Sequence, residues 1–97
     1  MRHFHRTHIG PDEVLAIADE LFTRLGLTRG EGDERSRTYS GPLGTLSLSA
    51  RPEGGHYTFI EAETDQVGES RLDRNVKRFF VSVHRSADPT HRLTAAY

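Results

Sequence analysis

The chain has 97 residues and a formal net charge of −1, with 13 basic residues against 14 acidic ones. This length predicts a single domain whose core is just large enough to fold without cross-links. The absence of cysteine excludes disulfides and cysteine metal sites, and no run of about 18 apolar residues is present to span a membrane. The N-terminal residues lack the apolar segment of a signal peptide, so we expect a cytoplasmic protein.

The charge is distributed unevenly along the chain. Residues 1–10 carry two arginines and no acid, residues 11–69 carry twelve acids against five arginines, and residues 70–97 carry six bases against two acids. Such opposed regions can pair within one chain or between two copies. Together with weakly apolar edge strands, this distribution predicts a homodimer.

The first nine residues alternate without a cleanly apolar side, which predicts a strand at the edge of a sheet. His3 and His5 share one face of this strand, where two imidazoles can bind one metal ion. Nothing in the spacing supplies a required third ligand, although Glu61, Glu63 and His56 are available. We therefore interpret the histidines as polar rings on an edge strand and predict no metal or other cofactor.

A helix is predicted over residues 11–25. Pro11 suits the first helical position, and the next two residues are acids that favour the positive end of the helix dipole. The apolar stripe of this helix follows the helical period and is predicted to be buried. It comprises Val14, Ile17, Ala18, Leu21 and Leu25, and it is widened by Leu15 and Phe22. Residues 28–34 are polar and rich in glycine, which predicts a mobile loop.

Three strands follow as a meander, over residues 35–40, 45–51 and 56–63. Turns rich in glycine and proline separate them at residues 41–44 and 52–55. The middle strand alternates best, with Leu46 and Leu48 facing inwards between serines and threonines that face outwards.

The last helix is predicted over residues 70–85. Its apolar stripe comprises Leu72, Val76, Phe79, Phe80 and Val83, and Ser70 with Asp73 forms a capping box at its start. Residues 79–85 are rich in β-formers and also fit a strand. We prefer the helix because the stripe continues upstream to Leu72. The domain is predicted to cover residues 1–88, and residues 89–97 to form a C-terminal tail.

These elements occur in the order β-α-β-β-β-α. They predict an antiparallel sheet with both helices on one face, which is a two-layer α+β sandwich.

Three elements suggest a resemblance to a known family: the opening strand before Gly10-Pro11-Asp12, the strand at residues 44–48 and the helix at residues 70–85. Their order resembles a shortened helix-grip protein of the SRPBCC (START-like, polyketide-cyclase-like) superfamily. The resemblance implies a cavity under the last helix, where members commonly bind lipids, hormones or polyketides. It is based on element order alone, so no catalytic residue is carried over.

A ligand pocket between the last helix and the sheet is the first functional hypothesis. It would be lined by Tyr39, Tyr57, Phe59 and Phe80, with Arg37, His56 or Glu61 as polar contacts. The alternative interpretation is that these aromatic side chains simply fill the core.

A row of arginines on the solvent face of the last helix is the second functional hypothesis. Arg71, Arg74, Arg78 and Arg85 can neutralise phosphates of a nucleic acid. However, the sequence pI is near 6.6, and no aromatic residues interleave with these arginines to stack bases. With no catalytic motif visible, the sequence predicts a non-enzymatic module that binds a small apolar ligand or a protein partner, with nucleic-acid binding as the alternative.

Overall fold

Five strands and two helices make up residues 1–87, the part of the chain that the computed structural model describes. The strands are β1 (Arg2–Thr7), β2 (Thr28–Arg29), β3 (Ser36–Gly41), β4 (Gly44–Glu53) and β5 (Tyr57–Thr64), and the helices are α1 (Pro11–Arg24) and α2 (Arg71–Ala87). All strand pairs are antiparallel, in the spatial order β1-β5-β4-β3-β2. The predicted α+β fold and the edge position of β1 are confirmed. The predicted tail at residues 89–97 lies outside the described residues.

One face of the sheet carries the core. The inward positions of β4 and β5 are small or apolar and include Leu46, Leu48, Ala50, Ile60 and Ala62, all of which are buried. Both helices pack on this face, because each can bury its apolar stripe only against another element. The opposite face, which we call the open face, carries the alternate residues of the same strands. No element within residues 1–87 covers it.

The segment that also fits a strand, residues 79–85, is helical and belongs to α2. Leu72, Val76, Phe79 and Val83 are fully buried, so the continuous stripe is placed against the sheet. Burial of this stripe outweighs the local β-propensity of the Phe-Phe-Val run, because tertiary packing routinely overrides intrinsic preference.

The predicted loop at residues 28–34 is partly wrong. Thr28 and Arg29 pair with Ser40 and Tyr39 and form the short strand β2. The physical reason lies one residue earlier, since burial of Leu27 directs the chain along the edge of β3. An ion pair between Arg29 Nη1 and Asp19 Oδ2 (3.1 Å) then links β2 to α1.

Candidate functional site

The four aromatic residues of the predicted pocket lie on two different faces of the sheet. Tyr39 and Phe80 lie on the helix side, whereas Tyr57 and Phe59 lie on the open face. Register explains the division, because Phe59 alternates with the inward-facing Ile60. The structure therefore does not bring the four residues together around one ligand.

Tyr39 is fully buried and has a structural partner. Its hydroxyl donates to Asp19 Oδ1 (2.7 Å), and its ring packs against Phe22 with centroids 5.3 Å apart. Burial, assisted by the hydrogen bond to Asp19, raises the pKa of Tyr39 well above its ordinary value. This residue joins β3 to α1 and is a core residue.

His3 and His5 both point towards α2, as their shared strand face predicts, but each contacts a different group. His3 Nε2 lies 2.8 Å from Asp73 Oδ1, whereas the His5 ring stacks on Phe80 with centroids 5.0 Å apart. Within residues 1–87, no group of three or more histidine, cysteine or acidic side chains is arranged to hold a metal ion.

Asp73 is the centre of a buried polar cluster between β1, β5 and α2. Its carboxylate accepts hydrogen bonds from His3 Nε2–H and from the hydroxyls of Thr64 (2.8 Å) and Ser70 (2.7 Å). Burial by itself would raise the pKa of Asp73, but the hydrogen bonds from His3, Ser70 and Thr64 outweigh it and lower the pKa. The carboxylate is thus ionised at neutral pH, so His3 Nε2 must carry the proton that it donates.

The predicted cap, in which the Ser70 hydroxyl accepts a backbone N–H of the first turn, is confirmed, but it accounts for only part of this cluster. The Asp73 backbone N–H donates to the Ser70 hydroxyl (3.0 Å), which in turn donates to the Asp73 carboxylate. The contact with His3 spans 70 positions of the chain, and no local pattern in the sequence indicates it. The geometry indicates a structural role, in which the cluster attaches β1 to the first turn of α2.

The predicted arginine row of α2 divides into two pairs. Arg78 and Arg85 line a groove between α1 and α2, whereas Arg71 and Arg74 are exposed outside that groove. Because Arg78 and Arg85 lie seven residues apart on one helix, they are spaced about 10 Å along its axis.

The groove between the helices has a volume of about 590 Å³ and is partly open to solvent. Its floor is apolar and consists of Ile17, Leu21, Leu25 and Val81. By contrast, the space under α2 is filled by Val76 and Phe79, both of which are fully buried. The groove therefore lies beside α2 rather than beneath it.

The rim of the groove carries an excess of positive charge. Arg24 Nη2 donates to Glu20 Oε1 (2.6 Å), so these two rim residues neutralise one another. Arg78 and Arg85 form no ion pair with an acid in residues 1–87. An apolar floor below two uncompensated guanidinium groups is suited to a ligand that is both apolar and anionic.

The width of the predicted apolar stripe of α1 is a signal in the sequence for this groove. Leu15 and Phe22 make the apolar surface of α1 wider than a single narrow stripe. The sheet can therefore cover only part of that surface. The sheet buries Val14, Leu15, Ala18 and Phe22, so Ile17, Leu21 and Leu25 are left only partly covered.

Comparison with models of known protein families gives no match, and comparison with curated protein sequences gives none either. Within the described part of the chain, no helix is long and apolar enough to cross a membrane.

Proposed function

We propose that this protein is a small, non-enzymatic binding module of the cytoplasm whose groove between α1 and α2 receives a helix of a protein partner. The partner helix would present apolar residues to the floor and acidic residues to Arg78 and Arg85. The observation that carries the proposal is the open apolar floor flanked by two arginines that have no acidic partner within residues 1–87.

The dimensions of the floor support a helix as the occupant. Ile17, Leu21 and the C-cap residue Leu25 recur every four residues and extend over about 12 Å along the axis of α1. That distance corresponds to about two helical turns, which is the length over which helix-in-groove partners place anchors at i, i+4 and i+7. A small molecule is usually enclosed over most of its surface, whereas this groove is only partly enclosed.

Selection from a displayed library of amphipathic helical peptides would test the proposal, with the full chain as bait. We expect enriched peptides to carry leucine, isoleucine or phenylalanine at i, i+4 and i+7 and acids beside them. Binding of a synthetic enriched peptide, measured by fluorescence anisotropy, should weaken at least tenfold in the variants Leu21→Glu and Arg78→Glu. The matched control is Arg71→Glu, which changes the same charge on the same helix outside the groove.

Two results would contradict this function. Enrichment of extended or basic peptides would exclude an acidic helix as the partner. The second result is tight binding of a fluorescent fatty acid, abolished in Leu21→Glu, together with no peptide binding. It would assign the groove to the small apolar ligand that the helix-grip resemblance implies.

The nucleic-acid hypothesis stays a prediction. It would be supported if the protein bound single-stranded RNA at low salt and if Arg71→Glu and Arg74→Glu abolished that binding.

A further inference from the structure

We propose that the free edge of β1 is a second binding site, at which an extended acidic peptide adds a sixth, antiparallel strand to the sheet. The peptide would carry two acidic residues four positions apart, with an apolar residue midway between them. This edge is separate from the groove between the helices, and the inference does not depend on the proposed function.

The backbone of β1 leaves a row of hydrogen-bonding groups unpaired at this edge. β1 is the end strand of the sheet and pairs only with β5. Met1 N donates to Thr64 O (2.8 Å), and Thr64 N–H donates to Met1 O (2.9 Å). Because bonded residues alternate along an antiparallel strand, the N–H and C=O groups of Arg2, Phe4 and Arg6 point away from β5.

An extended chain is the occupant that fits such a row. No backbone group of a turn, loop or helix within residues 1–87 bonds to these three residues. The N–H and C=O groups of an extended peptide repeat with the same spacing as those of β1, so they can pair along the whole edge. A folded helix has no free backbone groups along its length to offer in return.

The side chains along the edge follow a symmetric order. Residues 2–6 read Arg-His-Phe-His-Arg, which is the same sequence in both directions. Arg2, Phe4 and Arg6 share the open face, where Phe4 and Arg6 both contact the Phe59 ring. The arginine side chains are 63% and 57% exposed, and Phe4 is 53% exposed. The edge therefore presents an apolar ring between two accessible cations.

The same symmetry disfavours a second copy of the chain as the occupant. If two β1 edges paired about a two-fold axis at Phe4, Arg2 of one copy would lie opposite Arg6 of the other. Like charges directly opposite one another destabilise strand pairing, and charged residues on edge strands commonly prevent association between identical sheets. An acidic strand, by contrast, would set opposite charges against both arginines.

The two arginines can each accept a further carboxylate. Arg2 Nε lies 3.3 Å from Glu63 Oε2, and Arg6 Nε lies 2.9 Å from Glu53 Oε1. Each of these ion pairs uses Nε, which is only one of the donor atoms of a guanidinium group. Because exposed ion pairs contribute little stability, an incoming acid can share the arginine or replace the acid already beside it.

The helix side of β1 offers a contact for the alternate residues of the peptide. His5 stacks on Phe80 with ring centroids 5.0 Å apart. Phe80 is only partly buried, so α2 presents part of an aromatic ring beside the strand. β-Branched residues pack well on a half-buried pleated surface, and we expect them at these positions of the peptide.

The register defines the spacing of the peptide residues. Directly opposite residues of an antiparallel pair have Cβ atoms about 4.5–5.5 Å apart. Acids four positions apart therefore face Arg2 and Arg6, and the residue midway between them faces Phe4. The edge selects the order acid, β-branched, apolar, β-branched, acid.

Fluorescence anisotropy with the full chain and the labelled peptide Thr-Glu-Val-Leu-Val-Glu-Thr tests the proposal. The double variant Arg2→Glu, Arg6→Glu should bind this peptide at least about tenfold more weakly, because two opposite-charge pairs become like-charge pairs. The same variant should gain binding of the peptide that has lysine in place of both glutamates, which also shows that the variant is folded. The matched control Arg71→Glu, Arg74→Glu reverses two exposed charges on α2 and should leave both affinities unchanged.

Methylation of single peptide nitrogens tests the backbone pairing separately. In the antiparallel register, the leucine N–H donates to Phe4 O, whereas the valine N–H groups point away from β1. N-Methylleucine should therefore abolish binding, and N-methylvaline should change it little. Hydrogen exchange measured by NMR on the unmutated protein should slow at the Phe4 and Arg6 amides when the peptide is bound.

Three results would overturn the proposal. The first is no binding of the peptide at millimolar concentration, or equal binding of the two methylated peptides. The second is exchange at the Phe4 amide that slows with protein concentration alone, which would assign the edge to a second copy. The third is peptide binding that Leu21→Glu abolishes while exchange at Phe4 is unchanged. That result would place the peptide in the groove and leave the proposed function intact.

Discussion

At the scale of single residues, the Asp73 carboxylate joins the start of α2 to β1. Its carboxylate is 1% exposed, closes the first turn of α2 through Ser70 and accepts a hydrogen bond from His3 on β1. A buried charge costs much desolvation free energy unless it is fully hydrogen-bonded. Here three donors satisfy it, so one side chain connects a helix start to an edge strand.

Replacing Asp73 with alanine should lower the free energy of unfolding by about 2–3 kcal/mol, because it removes a first-turn carboxylate and leaves three donors, of which that of Thr64 is fully buried, without an acceptor. Urea unfolding followed by circular dichroism would measure the change. The control Asp12→Ala removes an exposed first-turn acid of α1 and should cost no more than about 1 kcal/mol. Equal losses in the two variants would show that the buried cluster contributes nothing beyond an ordinary helix-end charge.

At the scale of elements, the turn between β3 and β4 depends on the segment that follows β5. Asp65 Oδ1 accepts the Thr45 N–H (2.9 Å) and a hydrogen bond from the Gln66 side chain (2.8 Å). The hydrogen bond from Thr45 is the main cause that lowers the pKa of Asp65. Gly44 has a φ of +125° and lies directly against these two side chains.

Gly44→Ala should destabilise the protein by about 1–3 kcal/mol, because alanine is strained at this φ. Its Cβ would also lie 2.5 Å from Gln66 Nε2 and 2.6 Å from Asp65 Oδ1. Thermal unfolding would measure the effect. In the control Gly30→Ala, the Cβ meets nothing closer than 3.7 Å and no positive φ is required. A Gly44→Ala protein as stable as that control would show that the turn does not depend on glycine.

At the scale of the whole molecule, pH acts on the packing of β1 against α2. His5 Nε2 is buried without a hydrogen-bond partner in the described residues, and the ring lies against Phe80. Burial, and secondarily the charge of His84, lowers the pKa of His5 below its ordinary value of 6.5. At pH values between the pKa of His5 in the folded chain and its pKa in the unfolded chain, the unfolded chain therefore binds more protons than the folded chain does.

The stability of the fold should consequently decrease as the pH drops below about 6.5. The contribution of neutral His5 to stability is fully present above the pKa that His5 has in the unfolded chain. It is lost as the pH falls through the lower pKa that His5 has in the folded chain. His5→Phe keeps a ring against Phe80 but removes the titration, so its stability should decline less over that range. Urea unfolding at a series of pH values would show the difference. His56→Gln changes an exposed histidine and should follow the unmutated profile. If the stability of His5→Phe also followed the pH profile of the unmutated protein, the buried ring of His5 would not be the source of the acid sensitivity.

The local features of this fold were determined by the sequence alone. Four features were predicted correctly: the apolar stripe of α2, the cap formed by Ser70 and Asp73, the alternation in β4 and the edge position of β1. Each of them follows from residues that lie only a few positions apart in the chain. The same information could not decide which side of β5 faces the helices. Tyr57, Phe59 and Ile60 are all apolar enough for either side, so the predicted pocket combined residues from both faces.

Only the tertiary structure decided how distant residues combine. Pairing of Ala50 with Ile60 turned Phe59 to the open face, and the position of β1 beside β5 brought His3 to Asp73. The groove likewise exists because two helices lie side by side over a sheet that covers only part of the stripe of α1. Helix and strand periods are properties of a short segment, whereas register and helix placement depend on burying all the elements at once, and no single segment contains that information.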